Sequence, residues 1–408
     1  MSTKKPFKLG LVPKLLIGLA LGLVIGLVVP EVVIRVLVTF SGAFSTYLGF
    51  IIPLMIVSFV TAGIAHLSAG GAGRILGATV MIAYLSTLVA GTLAYTIDST
   101  IFPSFITSDL IDNFHQSDVS IEPFFSIPLE PVFTVTSAII LAFVLGIGSV
   151  GLKLSGKEEL NELMVKIFDG LEGIIVFILN KSIIPVLPFY IAAVFAKLSF
   201  TGEVWSVMSV FWKVYVIVIF LHFAYLFALF MLAGGVSKKN PFTLMNNQIP
   251  AWLTAVGTQS SAATIPVNVG VAAKNGVSKS IREFTVPLFA TIHLAGSTIT
   301  IISCSTAVLL MNDMPHGLST FVPFIMTLGV IMIAAPGAPG GAIMSALPFL
   351  AMIGIPAESE LATLMIALYL TQDSFGTACN VSGDNALAVF IDTFKEKIAG
   401  HKFDEEEA

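Results

Sequence analysis

Near the end of the chain an apolar stretch carries Asp373, Thr377, Asn380 and Asp384. The spacing i, i+4, i+7, i+11 puts all four on one stripe of an α-helix. A carboxylate at the centre of a bilayer costs about 2.5–3.5 kcal/mol even on the lenient insertion scale. Two on one face of an otherwise apolar helix therefore demand partners. Residues 283–394 contain no Lys or Arg, so those partners come from elsewhere in the chain, or are metal ions or the ammonium group of a ligand. Hard oxygen donors of this kind suit Na⁺. The competing reading is a water-filled polar seam that holds nothing.

In the preceding apolar stretch, Thr291, His293, Ser297 and Thr298 cluster around Gly296. With an unperturbed pKa of about 6.5, His293 is a candidate proton carrier; the alternative is a neutral hydrogen-bonding imidazole. Tyr84, Ser86 and Thr87 are candidates to line an ion site, although Ser and Thr in apolar helices commonly bond back to their own backbone.

The elements that must position these residues follow from composition. Of 408 residues, 56% are hydrophobic and 11% charged, and the mean hydropathy is +0.95. Soluble domains carry about 25% charged residues, so a cytosolic enzyme, a nucleic-acid binder and a disordered scaffold are excluded. The net charge of −5 offers no basic patch for phosphate backbones. Cys304 and Cys379 lie in apolar surroundings and indicate neither a disulfide framework nor a metal cluster. The chain reads as an all-α polytopic membrane protein.

Apolar stretches of spanning length occur at about 15–29, 38–65, 76–102, 132–152, 167–195, 205–233, 284–311 and 361–391, the last two reading as continuous helices. The first lacks a small-residue cleavage site and is read as a transmembrane helix rather than a signal peptide. Residues 246–272 and 319–355 are apolar but interrupted by Ser, Gly and Pro. If each returns to its own side, 16 of 20 basic residues face one side: Lys4, Lys5, Lys8, Lys14, Arg74, Lys153, Lys157, Lys166, Lys238, Lys239, Lys274, Lys279, Arg282, Lys395, Lys397 and Lys402. That side is the cytoplasm. Arg35 and Lys197 fall outside, with Lys181 and Lys213 at helix ends; the long outer loop carries Asp109, Asp112, Asp118, Glu122 and Glu130.

Eight transmembrane helices, both termini cytoplasmic, plus two re-entrant helical hairpins at 246–277 and 316–357 fit this bias. As full spans, the two interrupted segments would turn Lys274–Arg282 outward. Irregular backbone survives at membrane depth only where protein or a watery cavity covers it. Their tips, Gly257–Pro266 and Ala334–Gly341, each precede a span, giving hairpin, helix, hairpin, helix: inverted repeats, whose interface holds the binding site in secondary transporters. Two kinked helices are the alternative.

Four motifs then resemble the dicarboxylate/amino acid:cation symporter family, which includes the glutamate transporters: Gln259–Val267 (QSSAATIPV), Ala290–Gly296 (ATIHLAG), Gly337–Gly341 (GAPGG) and Asp373–Asp384 (DSFGTACNVSGD). Their order and spacing match, and with the span pattern the likeness covers nearly the whole chain. The resemblance implies a homotrimer in the bacterial plasma (inner) membrane with no enzymatic activity. It implies an elevator-type transporter in which residues 1–75 and 132–200 form a scaffold, while 76–131 and 201–408 form a sliding transport domain. By position, Asp373 and Thr377 would hold a substrate α-ammonium, and Asn380, Ser260 and Ser261 its α-carboxylate. The second hairpin, near Ala338 and Gly341, would be the extracellular gate. One Na⁺ would bind the Asp384 carboxylate with carbonyls of Phe289, His293 and Asn380; a second, Thr291 with carbonyls of Met332, Ile333 and Ala335.

Departures from the family pattern refine this. Members that take acidic substrates carry an arginine where this chain has Gly376, and some carry one where it has Gln259. A substrate carboxylate buried there without a cation is penalised, so a neutral amino acid is expected, serine or threonine first, as in the bacterial sodium:serine/threonine branch the motifs most resemble. Gly376 also leaves room for a bulkier neutral side chain. The aspartate of a third ion site is Ala295 here; Thr87 remains, so two coupled Na⁺ ions are expected. The rivals are the same fold carrying dicarboxylates, acidic amino acids or cystine, with H⁺ coupling open; a passive channel; and an intramembrane hydrolase using Ser260 or Ser261 with His293, for which no Gly-x-Ser-x-Gly elbow exists.

Overall fold

The computed structural model describes residues 11–67, 73–107, 121–132, 134–202, 204–333, 335, 337, 339–357 and 359–399. Outside them lie Ala338, the loop carboxylates Asp109, Asp112 and Asp118, and the terminal lysines Lys4, Lys5, Lys8 and Lys402. Among the described residues every regular element is helical, as expected where the backbone finds no partners outside itself.

Helix α1 (Leu11–Val28) and α2 (Glu31–Leu67) are divided at Pro30; α3 (Gly73–Ile101) ends in a 3₁₀ turn. Helix α4 (Val135–Leu154) starts at Thr134, whose side chain accepts from the Ser137 N–H, a regular N-cap. Helix α5 (Glu158–Ile178) passes through a π turn, Leu179–Ile183, into α6 (Ile184–Phe200), where Pro185 removes a backbone donor. Helix α7 is Val204–Ser237. The first hairpin is α8 (Pro241–Thr258) and α9 (Ser261–Lys274); α10 (Lys279–Ile292) and α11 (Ala295–Met311) follow. The second hairpin is α12 (Leu318–Ile331), α13 (Gly341–Ala346) and a 3₁₀ stretch to Ile353; α14 (Glu360–Ala399) ends the described chain.

Five stretches, Glu31–Met55, Arg74–Ser104, Glu158–Phe200, Val207–Ser237 and Lys279–Met311, are long and apolar enough to cross a membrane, and α1 and α4 contribute shorter apolar runs. Helix α14 does not qualify on composition because its middle is polar. That polarity is tolerated because Thr371, Gln372, Asp373, Asn380, Asp384 and Asn385 are buried in protein. One expectation fails: 284–311 is not a continuous helix but breaks at His293 and Leu294.

Both hairpins leave and return on one side. Lys239 Nζ donates to the carbonyls of Asn275 (2.7 Å) and Gly276 (2.9 Å), tying the start of α8 to the end of α9. At the second hairpin, a Cβ on Gly354 would lie 2.9 Å from Met314 Cε, so its two ends also touch. The first base is joined to the far end of α14 by Ser278 N–H donating to Asp392 (3.2 Å); the second base leads directly into the start of α14. At 1.5 Å per residue α14 is about 60 Å long, so the hairpins enter from opposite ends, and their tips meet near its middle.

Two packing groups are evident. Helix α1 lies on α6, and α2 on α4, α5 and α6; α3, α7, α8, α10 and α11 surround α14. The groups touch through Tyr190 donating to Thr363 Oγ1 (2.6 Å) and through the Lys197–Glu360 ion pair. The α1–α6 contact rests on Gly18, Gly22 and Gly26, whose added Cβ atoms would strike the carbonyls of Pro188, Ala192 and Ala196, the small-residue spacing of closely packed membrane helices. Gly22→Leu should lower stability by about 1–3 kcal/mol through overpacking, read as an earlier unfolding transition in detergent.

Candidate functional site

Asp373 sits about a third of the way along α14 and is buried. Its Oδ1 accepts from Tyr369 Oη (2.8 Å), one turn earlier on the same stripe. Its Oδ2 accepts from the Gly340 N–H (2.7 Å) at the second hairpin tip. Gly340 has φ of +74°, a left-handed conformation glycine adopts without strain, and this turn aims its N–H at the carboxylate. Beside it, Gly337 accepts a 2.8 Å hydrogen bond from Ser260 Oγ at the first hairpin tip. A Cβ on Gly337 would lie 3.0 Å from the Ala290 carbonyl. Both tips, the end of α10 and this part of α14 thus converge.

At the first tip Gln259 turns the chain with φ of +52°, and Ser260 caps α9 by accepting from the Ala263 N–H. Ser261 is buried behind it. Gln259 is buried too, and its Nε2 has no partner.

Two turns beyond Asp373, Asn380 serves the α10–α11 break. Its Oδ1 accepts from the N–H groups of Gly296 (2.8 Å) and Ser297 (3.2 Å), and its Nδ2 donates to Ser297 Oγ (2.9 Å). These are the orphan donors that start α11. His222 of α7, absent from the sequence reading, lies 3.0 Å from the Gly296 carbonyl and 3.2 Å from Thr300 Oγ1.

The break presents His293 to Asp384. Nδ1 lies 2.8 Å from Asp384 Oδ1, with both side chains inaccessible to solvent. Nε2 lies 3.1 Å from Ser86 Oγ, which is bonded to Tyr225 Oη. With the ring hydrogen on Nδ1, the donors run one way: Tyr225 to Ser86, Ser86 to His293, His293 to Asp384. The chain links α7, α3, the break and α14. Asp384 Oδ2 has no partner and is free to meet a cation.

The remaining residues are placed unequally. Thr377 and Gly341 are buried in the same region, as are Met332 and Ala335, and Ile333 donates its N–H to the Val330 carbonyl (3.2 Å). The Phe289 carbonyl accepts the His293 N–H (2.8 Å). Thr87 and Thr291 bond back to the carbonyls of Ala83 (2.9 Å) and Leu288 (2.7 Å); the α3 residue that reaches the break is Ser86. Tyr84 packs against Gly329 instead. Beside Gly376 lies α11: a Cβ there would meet Thr300 Oγ1 at 3.5 Å and the Gly296 carbonyl oxygen at 3.6 Å, ordinary van der Waals contact. Sequence reasoning missed Tyr369, Tyr225, His222 and Asp98. Tyr369 was findable, since it lies four residues before Asp373 on the stripe already drawn.

Removing one partner of a buried pair strands the other and costs about 3–5 kcal/mol. His293→Phe should destabilise by that order in chemical denaturation, and adding Asp384→Asn should restore most of the loss.

Against known proteins, the chain is 34% identical over 150 residues to excitatory amino acid transporter 3 of Oryctolagus cuniculus, a stretch covering 36% of this chain and 28% of that one. It is 33% identical over 150 residues to the Homo sapiens excitatory amino acid transporter 3 (36% and 28%) and 30% identical over 151 residues to the Homo sapiens excitatory amino acid transporter 2 (37% and 26%). The matched stretch is thus under a third of each relative's length. The sodium:dicarboxylate symporter family matches far more, residues 11–394. With both hairpin tips, the broken α10–α11 helix and the polar stripe of α14 inside that range, the chain belongs to the sodium:dicarboxylate symporter family.

Proposed function

We propose that this protein is a Na⁺-coupled symporter of small neutral amino acids, serine or threonine first, working as a homotrimer in a bacterial plasma membrane by an elevator motion. The observation that supports the neutral-substrate reading is that, among the described residues, Asp373 forms no ion pair: residues 283–394 lack Lys and Arg, and its two oxygens are held by Tyr369 and Gly340. Those contacts can be exchanged for a substrate ammonium. A substrate side-chain carboxylate in the same space would be buried unpaired.

In this reading the second hairpin tip lifts from Asp373 to admit substrate, whose ammonium takes its place at the carboxylate beside Thr377. Ser260, Ser261 and Asn380 face the α-carboxylate. One Na⁺ binds at Asp384 with carbonyls of Phe289, His293 and Asn380, a reading supported by the partnerless Asp384 Oδ2 and by the break in the helix at His293. The second uses Thr291 and the carbonyls of Met332, Ile333 and Ala335. Ion and substrate each favour the closed tip, so each raises the other's affinity. Inward Na⁺ movement contributes about 2.3 kcal/mol per charge per 100 mV, plus its gradient. The group around α14 would slide against the group around α2, breaking the Tyr190–Thr363 and Lys197–Glu360 contacts.

The family description and the relatives' names favour acidic substrates as the second reading. Labelled serine should enter proteoliposomes under an inward Na⁺ gradient and stop when choline replaces Na⁺. Asp373→Asn should reduce uptake at least about a hundredfold, the loss of a charged partner worth about 3 kcal/mol. Choline-insensitive uptake would remove the coupling, and competition by aspartate or succinate as strong as by serine would transfer the assignment to acidic substrates.

A further inference from the structure

A third carboxylate is buried in the same bundle, away from both sites described. Asp98 lies near the end of α3, twelve residues beyond Ser86, about 18 Å along the helix axis. It has no solvent exposure. Its Oδ2 accepts from Ser303 Oγ on α11 (2.6 Å), and its Oδ1 has no partner. The next residue, Cys304, is bonded by Gln372 Nε2 (3.4 Å), and the Gln372 Oε1 is likewise without a partner. Asp98 and Gln372 thus each leave one buried oxygen unbonded, on helices that both pack against α11.

Among the described residues no cation answers Asp98. Helices α11 and α12 carry no basic residue, and those of α14 begin only at Lys395. Arg74, Lys279 and Arg282 sit at the opposite ends of α3 and α10 from Asp98. On α7, Lys213 lies over the rings of Phe105 (5.1 Å) and Trp212 (6.0 Å) and forms no ion pair with Asp98. The other ionisable neighbours are Cys304, Tyr95, whose hydroxyl donates to the His316 carbonyl (3.2 Å), and Asp373 and Tyr369 beyond Gln372. None of these side chains supplies positive charge, and the His316 ring is engaged elsewhere, its Nδ1 lying 2.8 Å from the Met314 carbonyl. An ionised carboxylate held this way, with one oxygen unbonded, carries an uncompensated desolvation penalty.

We propose that Asp98 is a binding site for a small monovalent cation from solution, H⁺ or Na⁺, separate from Asp373 and Asp384. A proton would neutralise the orphaned oxygen without a coordination shell; Na⁺ would recruit the Asp98 carboxylate, Ser303 Oγ and the partnerless Gln372 Oε1. The site is independent of the substrate reading, and its test needs neither substrate nor a membrane gradient.

The experiment follows thermal unfolding of the purified full chain in detergent, wild type against Asp98→Asn, in two series. One varies Na⁺ against choline at fixed pH; the other varies pH from about 6 to about 8.5 in choline. If the cation is H⁺, the folded state holds a proton that the unfolded state releases. Wild-type stability then falls as pH rises, and Asp98→Asn lowers the number of protons linked to unfolding by about one while the Na⁺ series is unchanged. If it is Na⁺, the variant loses about one linked Na⁺ and the pH series is unchanged. A variant that matches wild type in both series overturns the proposal. Should Asp98→Asn fail to fold, Ser303→Ala keeps the carboxylate and removes its donor. A shift of the Na⁺ or pH midpoint by severalfold then supports the site, and unshifted midpoints overturn it.

Discussion

Three carboxylates occupy the interior of a bundle whose central helices carry no lysine or arginine between residues 283 and 394. Every other feature of the core answers that constraint. Charge in a low-dielectric interior must be met by an opposite charge or by convergent hydrogen-bond donors. Here the donors are a glycine N–H and a tyrosine for Asp373, and an imidazole for Asp384. Those donors hold the carboxylates in place without an opposite full charge from lysine or arginine.

The broken backbone and the buried polar stripe explain each other. The α10–α11 interruption and the two hairpin tips expose N–H and C=O groups that hydrocarbon would not tolerate. Asn380 satisfies the donors that start α11, His222 approaches the Gly296 carbonyl, and Ser260 bonds the Gly337 carbonyl. Helix α14 is polar because it faces this irregular backbone from three sides, and the irregular backbone is stable because α14 is polar. Gly296 and Gly376 permit the close approach: a Cβ at Gly296 would strike the Gly376 carbonyl and the Cys379 side chain.

His293 illustrates how context changes a residue's meaning. By spacing it is a lone histidine in an apolar stretch. In the fold it joins α3, α7 and α14 through Ser86, Tyr225 and Asp384. The chain of donors ends on Asp384 Oδ1 and leaves Oδ2 without a partner. The polar atoms that Asp384, Asp98 and Gln372 leave unbonded mark where this core is incomplete by itself.

The sequence by itself determined the all-helical membrane character, the two hairpins and the α14 stripe. These depend on local composition and on the 3.6-residue period, which neighbours in the chain reveal. It also made 284–311 look continuous, because apolar composition does not register a break whose hydrogen bonds are made good by Asn380, more than eighty residues away. Only the tertiary structure decided that Ser86 reaches His293, that α11 lies against Gly376, and that Asp98 is buried against Ser303. Each of these depends on which face of one helix meets another, and that is set by long-range packing across the bundle rather than by any pattern along the chain.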